Sequence, residues 1–233
     1  HEDWWRAVMD GSYITAIRTA CASAMATQAL ANAETRVLGI LGAGVQARAH
    51  IQALTRVRKI DRIKIYSPSG ASAAAIKKDL EPATAMTIEV ARSAEDAVRA
   101  ADLLVTGSTA REPIIDCRWL KAGVHINAVG SHRPDDREID GATVARAKVV
   151  VDSRAAIMAE CGDILLAIKE RSIAENHIHG EIGEVLAGTK SGRDSASEIT
   201  LYKSVGIAIQ DVATANLVYR KAVERGVGTT VEI

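Results

Sequence analysis

The chain has 233 residues, 48% of them hydrophobic and 25% charged, enough for one large globular domain or one domain plus part of another. Lysine plus arginine and aspartate plus glutamate each number 29, leaving no basic excess to displace counterions from nucleic acid or an anionic membrane. No uncharged apolar run approaches the roughly 18 residues of a membrane span, so neither a nucleic-acid nor a membrane partner is expected.

The N-terminal residues start mid-pattern. Met9 to Ser12 read as a turn after a strand, and Ile14 to Ala31 as a long alanine-rich helix, so a preceding segment is expected in the full protein. Arg36 to Leu41 reads as a short apolar strand. It runs into Gly42, Ala43, Gly44, Val45, Gln46 and Ala47, a Gly-x-Gly-x-x-Ala turn that opens a helix lasting to Arg58. Arg62 to Tyr66 alternates as a second strand, and Ser69 is positioned to cap a helix from Ala71 to Leu80. Thr87 to Val90 is a third strand, and Ser93 opens a helix to about Ala101. Asp102 to Ser108, Val124 to Gly130 and Lys148 to Asp152 supply a fourth, fifth and sixth strand.

The last third reads differently. Glu160 to Asp163 and Glu181 to Gly188 look like helical pieces joined by polar turns. Ile199 to Gly206 is a strand leading directly into a helix over Ile207 to Glu224, which Gly226 ends. Strands alternating with helices at this spacing predict an α/β fold with a doubly wound parallel sheet of the Rossmann type.

In such a sheet ligands bind beyond the carboxyl ends of the strands. Those ends are Gly42 to Gln46, Ser67, Thr106 to Thr109 and Asn127 to His132. Gly42 permits the tight turn, Gly44 leaves room for a pyrophosphate, and the helix that follows aims free N–H groups at that anion. A glycine-rich turn without a ligand is the plainer reading, but the strand before and the helix after favour a dinucleotide site. Ser67 stands where a carboxylate would bind the adenosine ribose and repel a 2′-phosphate, so the reading is NAD(P) with NADP(H) favoured. Lys77 or Lys78 would help hold that phosphate unless they are simply a solvated helix face.

Arg18 is either a grip for a substrate carboxylate or a surface arginine. His125, inside an apolar strand, reads as a core histidine. His132, at the ligand edge, would serve as acid or base near neutral pH or as an ordinary loop residue. His177 and His179 flank an isoleucine without a further ligand, so no metal site is expected. Cys21, Cys117 and Cys161 lack Cys-x-x-Cys spacing and suit buried reduced thiols in a cytoplasmic protein.

Four segments together resemble the ornithine cyclodeaminase/mu-crystallin family in family order: Ile14 to Ala20, Leu38 to Ala47, Ile126 to Asp140 and Glu198 to Asp211. The resemblance implies a second, substrate and dimerisation domain. Residues 1–18 would be its remnant, 19–204 the dinucleotide domain, and 205–233 a helix returning to it. It places Arg18 on the amino-acid carboxylate and Thr19, Val45 and Gln46 beside the cofactor phosphates, next to Gly42, Ala43 and Gly44. Thr109, Asn127, Ala128, Val129 and Gly130 would line the dinucleotide, and Ser204 and Val205 would flank nicotinamide and substrate. His132 falls where cyclodeaminases carry a catalytic aspartate, which puts the ornithine reaction in doubt.

The implied activity is hydride transfer at the C–N bond of a small amino or imino acid, as in ketimine or pyrroline-carboxylate reductases and amino-acid dehydrogenases. Ornithine cyclodeamination with recycled NAD, or NADP(H)-dependent ligand binding without catalysis, are the alternatives. The full-length protein is expected to be a homodimer.

Overall fold

Short runs of valine, leucine and isoleucine, each bounded by glycine or a polar residue, leave no solvent-facing stripe and so demand cover on both faces. The computed structural model describes residues 7–230 and places eight strands in one wholly parallel sheet. The strands are β1 (Val37–Leu41), β2 (Arg62–Tyr66), β3 (Thr87–Val90), β4 (Leu103–Thr106), β5 (His125–Ala128), β6 (Lys148–Val151), β7 (Ile178–Glu181) and β8 (Thr200–Lys203). Their order across the sheet is β3-β2-β1-β4-β5-β8-β6-β7. The chain reverses direction across the sheet between β1 and β4, which makes that junction a natural ligand crevice.

The helices are α1 (Gly11–Leu30), α2 (Val45–Val57), α3 (Ala71–Leu80), α4 (Ala94–Ala100), α5 (Gly141–Arg146), α6 (Arg154–Glu160), α7 (Gly162–Lys169), α8 (Ile182–Leu186) and α9 (Ala208–Arg225). Asp10 starts α1 by accepting a hydrogen bond from the Ser12 amide at 2.9 Å. Ser93 and Asp140 cap α4 and α5 in the same way. One core layer joins Leu38, Ile40, Ile63 and Ile65 to Ile51, Leu54 and Ile76 of α2 and α3. A larger layer joins Leu104, Ile126, Val149 and Leu201 to Val98, Val144, Ile157 and Ile164. Burying each such side chain contributes about 1.5–3 kcal/mol. Among the described residues no helix is long and apolar enough to cross a membrane.

Several expectations are corrected. Ser69 does not cap α3; Gly70 does so, in a left-handed conformation with φ 69° and no side-chain bond. Glu160 to Asp163 is not one helical piece: Glu160 ends α6, Cys161 stands outside both helices, and Gly162 and Asp163 begin α7. β7 carries no clear strand signal in the sequence, because His179 and Gly180 interrupt its apolar pattern. Of the cysteines only Cys161 is buried, while Cys117 is half-buried and Cys21 exposed. The expected strand before Met9 falls mostly on residues outside those described, and Ala7 and Val8 are not in a strand. α1 runs unbroken across the expected boundary at residue 18.

Candidate functional site

Two glycines shape the mouth of the crevice. Gly42 has φ +103°, and a Cβ there would stand 2.6 Å from the Gly107 carbonyl oxygen, so only glycine lets the turns after β1 and β4 touch. Gly44 caps α2 with no side-chain bond, and a Cβ there would have nothing within 4 Å. The first amides of α2 have no partner within the helix, and no acidic residue in its first turn offsets the positive end of its dipole. Such an end attracts an anion.

The crevice above these glycines has a volume of ≈ 510 Å³. Gly42, Ala43 and Gly44 form one wall, Gly107 to Ala110 another, and Tyr66, Ser67, Pro68 and Ser72 the far end. Beside it, the buried Oε1 of Gln46 has no hydrogen-bond partner. At the far end Ser67 is buried, and its Oγ accepts a bond from Ser72 Oγ at 3.0 Å. Lys77 does not turn toward it, since its ammonium donates to Glu81 Oε1 at 3.0 Å and the Ile88 carbonyl at 2.5 Å. Lys78 lies exposed on α3 and does not line the crevice. An open anion-binding helix end, an orphaned acceptor and a hydroxyl-lined far end fit a dinucleotide.

A smaller cavity of ≈ 210 Å³ shares Ser108, Thr109 and Ala110 with the first and continues to Gly130, Ser131, His132 and Arg133. His132 is exposed, its Nδ1 3.1 Å from the Gly130 carbonyl oxygen. Arg18 reaches from α1 to the start of α9, where Nε donates to Asp211 Oδ1 at 3.1 Å and Nη1 to Gln210 Oε1 at 3.2 Å.

Gly42, Ala43, Gly44, Ser67 and Thr109 therefore share the larger cavity, and Thr109, Gly130 and His132 the smaller. Val45 is exposed on the first turn of α2, and Val129 stands beside Gly107. Ser204 and Val205 lie in the loop between β8 and α9. Three other expected residues line neither cavity. Thr19 and Ala128 are buried, and Asn127 donates from Nδ2 to Thr27 Oγ1 at 2.9 Å, so its side chain belongs to the packing of α1 on β5.

His125 is buried against Thr200 Oγ1 at 2.9 Å, and burial followed by the charge of Arg193 lowers its pKa to about 3. His177 and His179 each bond a backbone carbonyl, of Val144 and Ser191 respectively. One set with metal-ligand spacing occurs among the described residues, Asp116, Cys117 and Asp140. It has structural duties: Asp116 pairs with Arg118, and Asp140 caps α5.

Four charged residues that matter here have no signal of their own in the sequence. Asp152, at the end of β6, accepts at Oδ2 from Ser204 Oγ (2.8 Å), the Val205 amide (3.0 Å) and the Gly206 amide (2.7 Å). Glu138 is fully buried and accepts from four donors on the ends of β4 and β5. Asp163 and Lys203, both buried, pair at 2.8 Å. Burial disfavours the Lys203 charge, but Asp163, Cys161 and Glu138 hold its pKa above the ordinary lysine value. Each lies in a charged-plus-apolar context that resembles a solvated strand or loop residue. Only the fold shows that they meet.

A family model for the ornithine cyclodeaminase/mu-crystallin family matches residues 4–226. The chain is 39% identical over 227 residues to a Delta(1)-pyrroline-2-carboxylate reductase of Bacillus cereus, covering 97% of this chain and 70% of that protein. Its fold matches Thermococcus litoralis Delta(1)-pyrroline-2-carboxylate reductase, solved with NADH and L-proline, with a TM-score of 0.92 and 44% identity over 96% of this chain and 69% of that one. An archaeal alanine dehydrogenase dimer with bound NAD matches with a TM-score of 0.90 and 37% identity, over 97% and 69%.

Proposed function

The chain belongs to the ornithine cyclodeaminase/mu-crystallin family, and on that premise we propose an NAD(P)-dependent oxidoreductase acting at the C–N bond of a small amino or imino acid. The observation that carries this is the uncapped N-terminus of α2 above Gly44, opening on a crevice of dinucleotide size. In the reductive direction the substrate is a cyclic or linear 2-imino acid.

When bound, the nicotinamide supplies hydride to the imine carbon. The amides of α2 and the bare backbone at Gly44 receive the pyrophosphate, and Gln46 takes up a donor at its free Oε1. Ser67 and Ser72 meet the adenosine ribose. No carboxylate stands at Ser67 to repel a 2′-phosphate, which supports NADP(H) over NAD(H). Thr109, Val129 and Gly130 border the route from the larger cavity to the smaller, and Ser204 and Val205 border the substrate. Arg18, aimed by Asp211 and Gln210, grips the substrate carboxylate with its remaining N–H groups. His132 passes a proton to the imine nitrogen.

Residues 19–204 make the dinucleotide unit. The C-terminal part, 205–233, serves a substrate and dimerisation unit in a homodimer. The supporting observation is α9, which has no buried residue and exposes Ile209, Val212, Leu217 and Val223.

The test is an assay of the protein with NADPH and pyrroline-2-carboxylate or piperideine-2-carboxylate, repeated with NADH. Oxidation faster with NADPH is the expected result. A folded protein that oxidises neither cofactor overturns the reductase reading, and faster turnover with NADH overturns the cofactor preference. Proline and ammonia formed from ornithine with catalytic NAD would instead mark a cyclodeaminase. His132, standing where that reaction's aspartate belongs, speaks against it. NADP(H) binding without turnover across a panel of amino and keto acids would mark a binding protein.

A further inference from the structure

Past Thr106 and Ala128, β4 and β5 part company. Their last shared backbone bond is from the Val129 amide to the Thr106 carbonyl at 2.9 Å, and beyond it the two chains diverge to wall the adjoining cavities. One side chain bridges the gap. Glu138 arrives on a segment fixed by the parallel pairing of Ile139 with Ile115 and by the Ile114 amide donating to the Glu138 carbonyl at 2.8 Å. Its Oε1 accepts from the Ser108 amide (2.7 Å) and Ser108 Oγ (2.6 Å). Its Oε2 accepts from the Gly130 amide (2.9 Å) and Thr106 Oγ1 (2.9 Å). A Cβ on Gly130 would run into this carboxylate.

The anchor is itself anchored. Asp163 Oδ1 accepts from the Glu138 and Ile139 amides at 2.7 and 3.0 Å, and Asp163 Oδ2 pairs with Lys203, which also donates to the Ser131 carbonyl at 2.8 Å. A buried carboxylate is costly unless every lone pair is used and a cation stands near, and both conditions hold here. Glu138 lines neither cavity.

We propose that Glu138 is a positioning residue for hydride transfer, holding Ser108 and Gly130 so that nicotinamide and imino acid meet at the junction of the two cavities. This rests on the oxidoreductase reading above. A protonated Glu138 would offer a donor where Ser108 and Gly130 already present donors, so one of the two walls would be released. Burial, opposed by Lys203 and the Ser108 bonds, raises its pKa above the ordinary glutamate value. The titratable groups facing the cluster are Lys203 from β8 and Asp163 and Cys161 from the start of α7; β4 and β5 present only hydroxyls and amides.

Two variants test it, Glu138→Gln and Thr106→Val, the second removing one bond to the carboxylate without touching either cavity. The readouts are amide hydrogen exchange without cofactor, then kcat, KM and their pH profiles. In Glu138→Gln the Ser108 and Gly130 amides should exchange at least about tenfold faster while those within β4 and β5 do not. Its kcat should fall about tenfold or more, with the KM for NADPH changed far less. Thr106→Val should move the acid limb of kcat to higher pH, and Glu138→Gln should abolish that limb. Unchanged exchange, or faster exchange with wild-type kcat and an unmoved limb, overturns the proposal. If Glu138→Gln does not fold, Thr106→Val decides alone by the same criteria. A wild-type protein that turns over no imino acid refutes the oxidoreductase reading instead, and exchange together with NADPH affinity then judges Glu138.

Discussion

Gly206 lies directly on Arg18: a Cβ added to the glycine would stand 2.7 Å from both Nη1 and Nη2 of the guanidinium. The glycine has φ +91°, a backbone that other residues adopt only under strain. The loop between β8 and α9 thus seats itself on the arginine, which Asp211 and Gln210 hold from the far side. The position of this group depends on one missing side chain.

Gly206→Ala should therefore displace Arg18 as well as strain the loop. The strain costs about 1–2 kcal/mol in unfolding experiments. The KM for the imino acid should rise about tenfold or more while the affinity for NADPH stays within about twofold, because the arginine lies apart from the larger cavity. Equal losses for both ligands would mean that Arg18 does not hold the carboxylate.

The two glycines of the first turn should respond in opposite ways. At Gly44 an added Cβ meets no protein atom within 4 Å and φ is −93°, so Gly44→Val should hardly change stability. Its isopropyl group would occupy the pyrophosphate's space, and NADPH affinity should drop by about 100-fold or more in titration calorimetry. Gly42→Ala instead forces a positive φ and a 2.6 Å approach to the Gly107 carbonyl, which should cost about 3 kcal/mol of folding stability. If Gly44→Val destabilises the fold as much as Gly42→Ala, the open-cradle reading is wrong.

These glycines also mark how much the sequence can tell. The turn after β1 is legible because spacing alone encodes it: an apolar strand, then Gly42 and Gly44, then helical residues. The strand ends are legible for the same local reason. Asn127 escapes such reading because its side-chain partner, Thr27 on α1, stands 100 positions away, and no local pattern announces that contact. β8 reads as a strand, but its insertion between β5 and β6 depends on long-range pairing that no local pattern carries. Lys203 and Asp163 are 40 positions apart in the sequence, and nothing in either neighbourhood announces the other.

Asp152 offers a cleaner test of the β8–α9 loop than any residue within it. Its Oδ2 collects three donors, from Ser204, Val205 and Gly206. In Asp152→Asn the amide must either turn its NH₂ toward those donors or offer a weaker neutral acceptor. A loss of about 1–3 kcal/mol is expected in urea unfolding, with a rise in the imino-acid KM as the loop under Arg18 loosens. Wild-type stability and kinetics in this variant would show that Asp152 is a bystander.

The buried histidines should make the fold acid-sensitive well above the carboxylate range. Burial lowers the pKa of His50 to about 4 and, with Arg193, that of His125 to about 3, from 6.5 in each case. His50 is held neutral between Ser23 Oγ at 2.9 Å and the Gln46 carbonyl at 2.8 Å. Below pH 6.5 the unfolded chain binds protons at both positions and the folded chain does not, so stability falls as pH falls, until the folded pKa values are reached. Each group contributes up to about 1.36 kcal/mol per pH unit, so unfolding free energy should drop by about 3–5 kcal/mol between about pH 6.5 and 4.5. Glu138 works in the opposite direction, because its raised pKa lets the folded state take up a proton first as the pH approaches the carboxylate range. Replacing His125 by leucine should remove about half of the drop while leaving its midpoint near about pH 6 or below. If wild type and His125→Leu lose stability in parallel over that window, His125 is not the buried neutral group that its bond to Thr200 describes.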